Sequence, residues 1–314
     1  MVTTLHIPVM LNETLFLIGP GLARPGALMV DATLGLGGHA EAALTHYPEL
    51  HVIGIDRDPE AIAAASERLR PFGDRFEARL GTYNQMPYFL DGRRPTAILF
   101  DLGLSSLQID SLERGFAYSY DAELSMRMDG HGDGLTAADV VNTYTARDLA
   151  RLFREYGDER FAARIAAAIV AERTNQPFTT SARLVEVITA AVPAGSGRSG
   201  HPAKRVFQAL RIEVNDERTL LVDALPAALS ALAVTGRMAV LSYHSGEDRI
   251  VKSVFAAAGT DKAPPGLPVV PEQYQARFRL LTRGACRPSD EEMADNPRSQ
   301  SARLRVIERI KEDL

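Results

Sequence analysis

Ten consecutive residues, Asp31-Ala32-Thr33-Leu34-Gly35-Leu36-Gly37-Gly38-His39-Ala40, combine a carboxylate, three glycines and an imidazole. Glycines let backbone N–H groups and a helix N-terminus approach a ligand closely. Asp56 follows Gly35 by 21 residues, where a carboxylate ending a second strand can accept from both hydroxyls of a ribose. Two ligand classes fit this much. Gly35-x-Gly37-x-x-Ala40 satisfies the dinucleotide fingerprint, so an NAD-dependent oxidoreductase stays open. Asp31 argues for a ligand carrying an ammonium group, such as the methionine part of S-adenosylmethionine, because it would repel a pyrophosphate.

These groups need a frame. Residues 28–32, 51–55 and 96–100 are short apolar runs, each containing or followed by an aspartate, and read as buried parallel strands, with a weaker strand at 76–80. Helical patterns at 40–44 and 59–69 lie between them, the second opened by Pro59. This βαβ alternation predicts a doubly wound sheet with right-handed crossovers. After Asp101 come a glycine-punctuated loop and helices predicted at 146–156, near 159–172, at 182–191 and at 203–224. Thr145 with Asp148 opens the first of these and Gly157 closes it. Strand character returns at 237–243, and residues 278–281 and 304–307 are predicted to form an antiparallel pair.

The chain has 314 residues, 46% hydrophobic and 24% charged, the balance of a soluble globular protein. No signal peptide or membrane-length apolar stretch is present, which gives the expectation of a cytoplasmic protein. A single cysteine, Cys286, excludes an intramolecular disulfide and a multi-thiolate zinc site. The run Asp129-Gly130-His131-Gly132-Asp133-Gly134 resembles the start of a calcium loop, but Val140 stands where the closing glutamate would be, and no metal is expected. With 40 acidic and 35 basic residues the net charge is -5, unfavourable for nucleic acid unless the basic groups gather on one face. Of the basic residues 31 are arginine, which fits phosphate bidentately.

The chain resembles the bacterial MraW family, the S-adenosylmethionine-dependent methyltransferases of the N4 amine of a cytidine in small-subunit ribosomal RNA near the decoding site. The matching segments include Gly37-Gly38-His39, Ile55-Asp56-Arg57-Asp58, Asp101-Leu102-Gly103 with Ser105-Ser106 and Gln108, Arg114-Gly115-Phe116 and Met126-Arg127-Met128. They continue with Tyr156 to Phe161, Arg205 to Ile212, His244-Ser245 with Glu247-Asp248-Arg249, and Asn296-Pro297-Arg298, so nearly the whole chain is covered. The resemblance implies an α/β fold, a Rossmann-like class I methyltransferase sheet with a terminal antiparallel hairpin and an inserted helical domain. Residues 1–110 and 202–314 would form the methyltransferase domain and 111–201 a helical substrate-recognition domain. Cofactor contacts would come from Gly37, Gly38, His39, Asp56, Tyr83, Asp101 and Gln108. Three positions depart from the family pattern: Leu107 replaces proline, Ser125 aspartate and Gln300 arginine.

Methyl transfer from a sulfonium is an in-line displacement, so positioning is the main task. A cytosine amine is a poor nucleophile and needs acceptors for its N–H groups. Loops at the carboxyl ends of strands four and five must supply them. Asp101 ranks first, then His244 as acceptor or base, then Ser105; Glu247 and Asp248 are read as charging a helix start. Arg114, Arg127, Arg198, Lys204, Arg205 and Arg211 form the predicted RNA face. The implied partner is small-subunit ribosomal RNA or the assembling subunit, with no membrane involved, and the oligomeric state, dimer included, stays open. A non-catalytic ribosome-assembly factor is the remaining alternative.

Overall fold

The computed structural model describes residues 8–105, 108, 114–130, 134–193, 201–264 and 270–312. Seven strands, β1 (Leu28–Asp31), β2 (His51–Asp56), β3 (Phe76–Leu80), β4 (Ala97–Asp101), β5 (Arg237–Ser242), β6 (Phe278–Leu280) and β7 (Arg303–Arg309), form one sheet. Their order is β3-β2-β1-β4-β5-β7-β6. β1 to β5 run parallel, whereas β7 lies antiparallel between β5 and β6. The order reverses beside β1, so the carboxyl ends of β1 and β4 flank the crevice in which open α/β sheets bind ligands. The expected α/β class, with its late antiparallel strands, is therefore the fold observed.

The central strands are buried on both faces, which is why they read as apolar runs rather than alternating ones. Met29, Leu99, Ala239 and Val306 pack on one face against the helix α1 (Leu11–Leu22) and α2 (Gly38–His46). Val30, Ile98, Phe100 and Val240 pack on the other. α3 (Pro59–Leu69) and α4 (Met86–Leu90) complete the crossovers. Asp58 caps α3 by accepting from the Glu60 N–H at 3.0 Å.

The chain divides into two compact units, Met1–Gly103 with Thr219–Leu314, and Leu104–Arg218. The second is helical: α5 (Ala137–Thr143), α6 (Ala146–Glu155), α7 (Ala162–Asn175), α8 (Ser181–Ala191) and α9 (Ala203–Val214). It extends further than residues 111–201. The reason is packing: Ala203, Val206, Phe207 and Leu210 of α9 join the core of Phe153, Ile165, Phe178 and Leu184. The helix predicted at 203–224 is two, because Asp216 adopts φ 49° between α9 and α10 (Glu217–Ala231). Buried Asn215 sits at this break, its side chain accepting from the Met128 N–H and donating to the Met126 carbonyl, both at 2.8 Å. Among the described residues no helix is long and apolar enough to cross a membrane.

Candidate active site

The glycine loop is shaped by two left-handed residues, Gly35 at φ 51° and Gly37 at φ 76°, the latter capping α2. A Cβ on Gly38 would lie 2.5 Å from Pro8 Cγ, so this turn admits no side chain without displacing Pro8. The Gly35 N–H donates to Asp56 Oδ2 at 2.8 Å and the Asp58 N–H to Oδ1 at 2.9 Å. The loop and the ribose-spaced acid are thus one hydrogen-bonded unit. Burial pushes the Asp56 carboxyl up, and the two N–H donors hold it back.

Five further side chains converge at the carboxyl ends of β1, β4 and β5. Asp31 is 2% exposed and accepts from the Thr33 N–H at 3.3 Å. Thr33 in turn accepts from the Asp101 N–H at 2.6 Å, tying β1 to β4. Burial first, then the charge of Asp101, pushes the Asp31 carboxyl up to about 7. The Tyr243 hydroxyl donates to Asp101 Oδ1 at 2.6 Å. Burial and that same carboxylate push the phenol well above its ordinary value, so Tyr243 remains a fixed donor.

Buried His39 completes the group. Its Nε2 lies 3.2 Å from the Val9 carbonyl, and its Nδ1 lies 3.7 Å from Asp101 Oδ2. Only the first distance is a hydrogen bond, so geometry puts the ring proton on Nε2 and leaves a lone pair on Nδ1. Burial lowers the His39 imidazole to about 4, which keeps it neutral. Asp31, Asp101 Oδ2 and His39 Nδ1 therefore make a corner rich in acceptors and fitted to a cationic donor.

Tyr83 follows β3 and packs edge-on against Phe100 of β4, ring centroids 5.6 Å apart, as an aromatic wall on this same edge of the sheet. His244, expected as an acceptor or base, is placed at a helix start. It caps α11 (Ser245–Ala258): Nδ1 accepts from the Gly246 and Glu247 N–H groups, and the Glu247 carboxylate accepts from the Tyr243 and His244 N–H groups. The other ring nitrogen, Nε2, lies 3.1 Å from Glu247 Oε1. Asp248 binds Arg303 and Arg305 of β7 at 3.0 and 2.7 Å. Glu247 and Asp248 thus hold the start of α11, as the sequence suggests.

Ser105 and Gln108 belong to the second unit. Gln108 is 4% exposed; its Oε1 accepts from the Ser105 N–H at 3.1 Å and Ser105 Oγ accepts from the Gln108 N–H at 3.3 Å. Most of the expected RNA face is recast. Arg114 and Arg127 are 5% and 8% exposed. Arg114 donates to the Met128 carbonyl at 3.4 Å and Arg127 pairs bidentately with Asp129, both contacts at 3.0 Å. They hold a loop together from inside. Arg211 pairs bidentately with Glu217 at 2.8 Å, and Arg205 faces buried Glu159 at 3.5 Å. Lys204 is exposed, whereas Arg198 and Leu107 lie outside the described residues.

Sequence comparison identifies the chemistry this frame serves. The sequence model of the MraW methylase family matches residues 3–310. The chain belongs to the MraW methylase family. Ribosomal RNA small subunit methyltransferase H of Streptomyces avermitilis is 55% identical over 312 residues, 98% of each chain. The protein of the same name from Nocardioides sp. is 56% identical over 308 residues, 97% of this chain and 96% of its own. Among solved structures, an rRNA methylase from Streptococcus thermophilus is similar at a TM-score of 0.42 and 13% identity, with 93% of this chain and 92% of the other covered. The methylase uses S-adenosylmethionine as its cofactor. The residues fit that group: the acceptor corner suits its ammonium, Asp56 its ribose and Tyr83 its adenine. Tyr243 was missed in the sequence reading, although it directly follows Ser242 at the end of β5 and so lies on the ligand-binding edge.

Proposed function

We propose that the methylase transfers the methyl group of S-adenosylmethionine to the exocyclic N4 amine of a cytidine in small-subunit ribosomal RNA, near the decoding site. The observation that carries this reading is the Asp101 carboxylate, fixed by the Tyr243 hydroxyl at 2.6 Å on the binding edge of the sheet. The extended family resemblance and relatives 55% identical over nearly the whole chain support the substrate. When bound, the cofactor supplies an electrophilic methyl on sulfonium.

An ionised carboxylate offers about four lone-pair sites. Tyr243 fixes the Asp101 carboxylate from one side, and the same carboxylate would serve the cofactor's ammonium and the cytosine amine. Accepting from the amine N–H steers the nitrogen lone pair out of conjugation as attack begins, and holds the proton that leaves after methylation. His39, neutral and buried, adds an acceptor without a competing positive charge. His244 serves by fixing the turn that carries Tyr243. Gln108 remains a proposed cofactor contact, and Ser105 fixes it through their reciprocal hydrogen bonds.

The test is methyl transfer from labelled cofactor to small-subunit RNA and to assembled subunits, followed by mass spectrometry of the nucleosides. N4-methylcytidine is expected. A methyl group on another base would refute the cytidine assignment. Cytidine methylation unchanged in a deletion strain would favour the assembly-factor role.

A further inference from the structure

A second concavity opens beside the acceptor corner and has the opposite chemistry. It is a cleft of about 170 Å³ at the junction of β5, α11 and the start of β7, lined by Tyr243, Ser245, Arg287, Gln300, Ser301 and Arg303 among others. Among the described residues no aspartate or glutamate lines it. Its side chains include two guanidinium groups, a carboxamide and the hydroxyls of Ser245 and Ser301, a donor-rich set that suits an anion.

Two acids bond to the lining: Glu247 accepts from the Tyr243 and His244 N–H groups, and Asp248 pairs with Arg303. Asp248 is shared between Arg303 and Arg305, so two guanidinium groups meet one carboxylate behind the cleft wall. Arg287 adds another positive charge at an exposed position. The location is specific as well. Arg303 pairs in register with Ser242, the last residue of β5, which puts the cleft on the carboxyl edge of the parallel strands. Tyr243 belongs to both places, donating its hydroxyl to Asp101 and walling the cleft.

We propose that this cleft binds a backbone phosphate of the substrate RNA, adjacent to the nucleotide presented to Asp101. The assignment rests on the methyltransferase reading and adds the subsite that holds the strand. A base drawn out of its stack must have its backbone gripped nearby, and a phosphate held one residue from the Tyr243–Asp101 pair does that. Gln300 makes this grip adjustable, because it is the neutral long side chain in a cleft otherwise served by arginines.

The test measures the affinity of a single-stranded RNA carrying the target cytidine as a function of salt, together with RNA KM, kcat and cofactor affinity. Each phosphate contact on single-stranded nucleic acid contributes about 0.7 to the slope of log affinity against log salt. Arg287→Ala is expected to lower the slope by about that amount and raise RNA KM several-fold, with kcat and cofactor affinity unchanged. Gln300→Arg is expected to steepen the slope and tighten binding, and Gln300→Glu to do the reverse. An unchanged slope in all three variants overturns the subsite. So does inorganic phosphate binding that is lost in Arg287→Ala while RNA binding stays intact, since the cleft would then hold small anions only. If the wild type binds RNA but methylates none, the methyltransferase reading fails, and the salt slopes still decide the cleft.

Discussion

Replacing Asp31 with asparagine should make the ligand-free methylase more stable at pH 8 while weakening its hold on the cofactor. The fold lifts this carboxyl from 3.8 to about 7 by burial and by the nearby Asp101 charge. Between roughly pH 4 and 7 the native state therefore binds more protons at Asp31 than the unfolded chain does. Stability from this group falls as pH rises through that window, and above it the cost is constant. At ~1.36 kcal/mol per pH unit, the gap corresponds to about 4 kcal/mol. Asparagine imitates the protonated acid and can still accept from the Thr33 N–H. Denaturant unfolding of wild type and Asp31→Asn should thus differ by up to about 4 kcal/mol at pH 8, converging toward pH 4. The ammonium of the cofactor should pull the carboxyl down again, so binding near pH 6.5 should release up to one proton. Calorimetry in buffers of different ionisation heat counts that proton, which the variant should not release. A charge-assisted contact is worth about 1.5–3 kcal/mol, so the variant should bind the cofactor roughly 10- to 100-fold more weakly. A stability difference that persists unchanged to pH 4, or wild-type binding with no proton released, would refute the reasoning.

Tyr243→Phe removes the 2.6 Å hydrogen bond to Asp101 and should lower kcat by about 10- to 100-fold, read in single-turnover methyl transfer. Gly38→Ala should weaken cofactor binding in calorimetry, since its Cβ would displace Pro8 from 2.5 Å. Arg127→Ala should cost about 1–2 kcal/mol in urea unfolding, as the charge-assisted contacts of a buried guanidinium to half-exposed Asp129 are lost, while the salt slope of RNA binding stays the same. Ser242→Ala should stabilise the fold by about 1 kcal/mol or more, because the Ser242 Oγ is buried without a hydrogen-bond partner.

The strands were legible because burial on both faces leaves an unbroken apolar signature, and β3 matches its predicted range of 76–80. The glycine loop and Asp56 were legible because their spacing is a local property of one βαβ unit. α1 was not read, although Leu11, Leu15, Ile18 and Leu22 share one face, because Gly19, Pro20 and Gly21 look like a break. In the fold those glycines allow close approach: a Cβ on Gly21 would meet the Thr96 carbonyl oxygen at 2.3 Å. The arginines misled for a related reason. Charge type is visible in a sequence, but whether a guanidinium faces water or a carbonyl such as that of Met128 depends on contacts between distant segments. Tyr243 belongs to the same class, since its partner Asp101 is 142 positions away along the chain.

The place of β7 has a consequence for how the chain acquires its shape during synthesis. β5 and β6 do not pair with each other; residues 303–309, which follow both in the chain, must insert between them. Until those residues leave the ribosome, β5 presents an open edge, and Arg309 is absent from its bonds to the Ser230 and Leu232 carbonyls at 2.8 Å. Open edges of this kind recruit other chains. A stop codon near residue 300 should therefore yield a sticky, aggregating product rather than a smaller working enzyme.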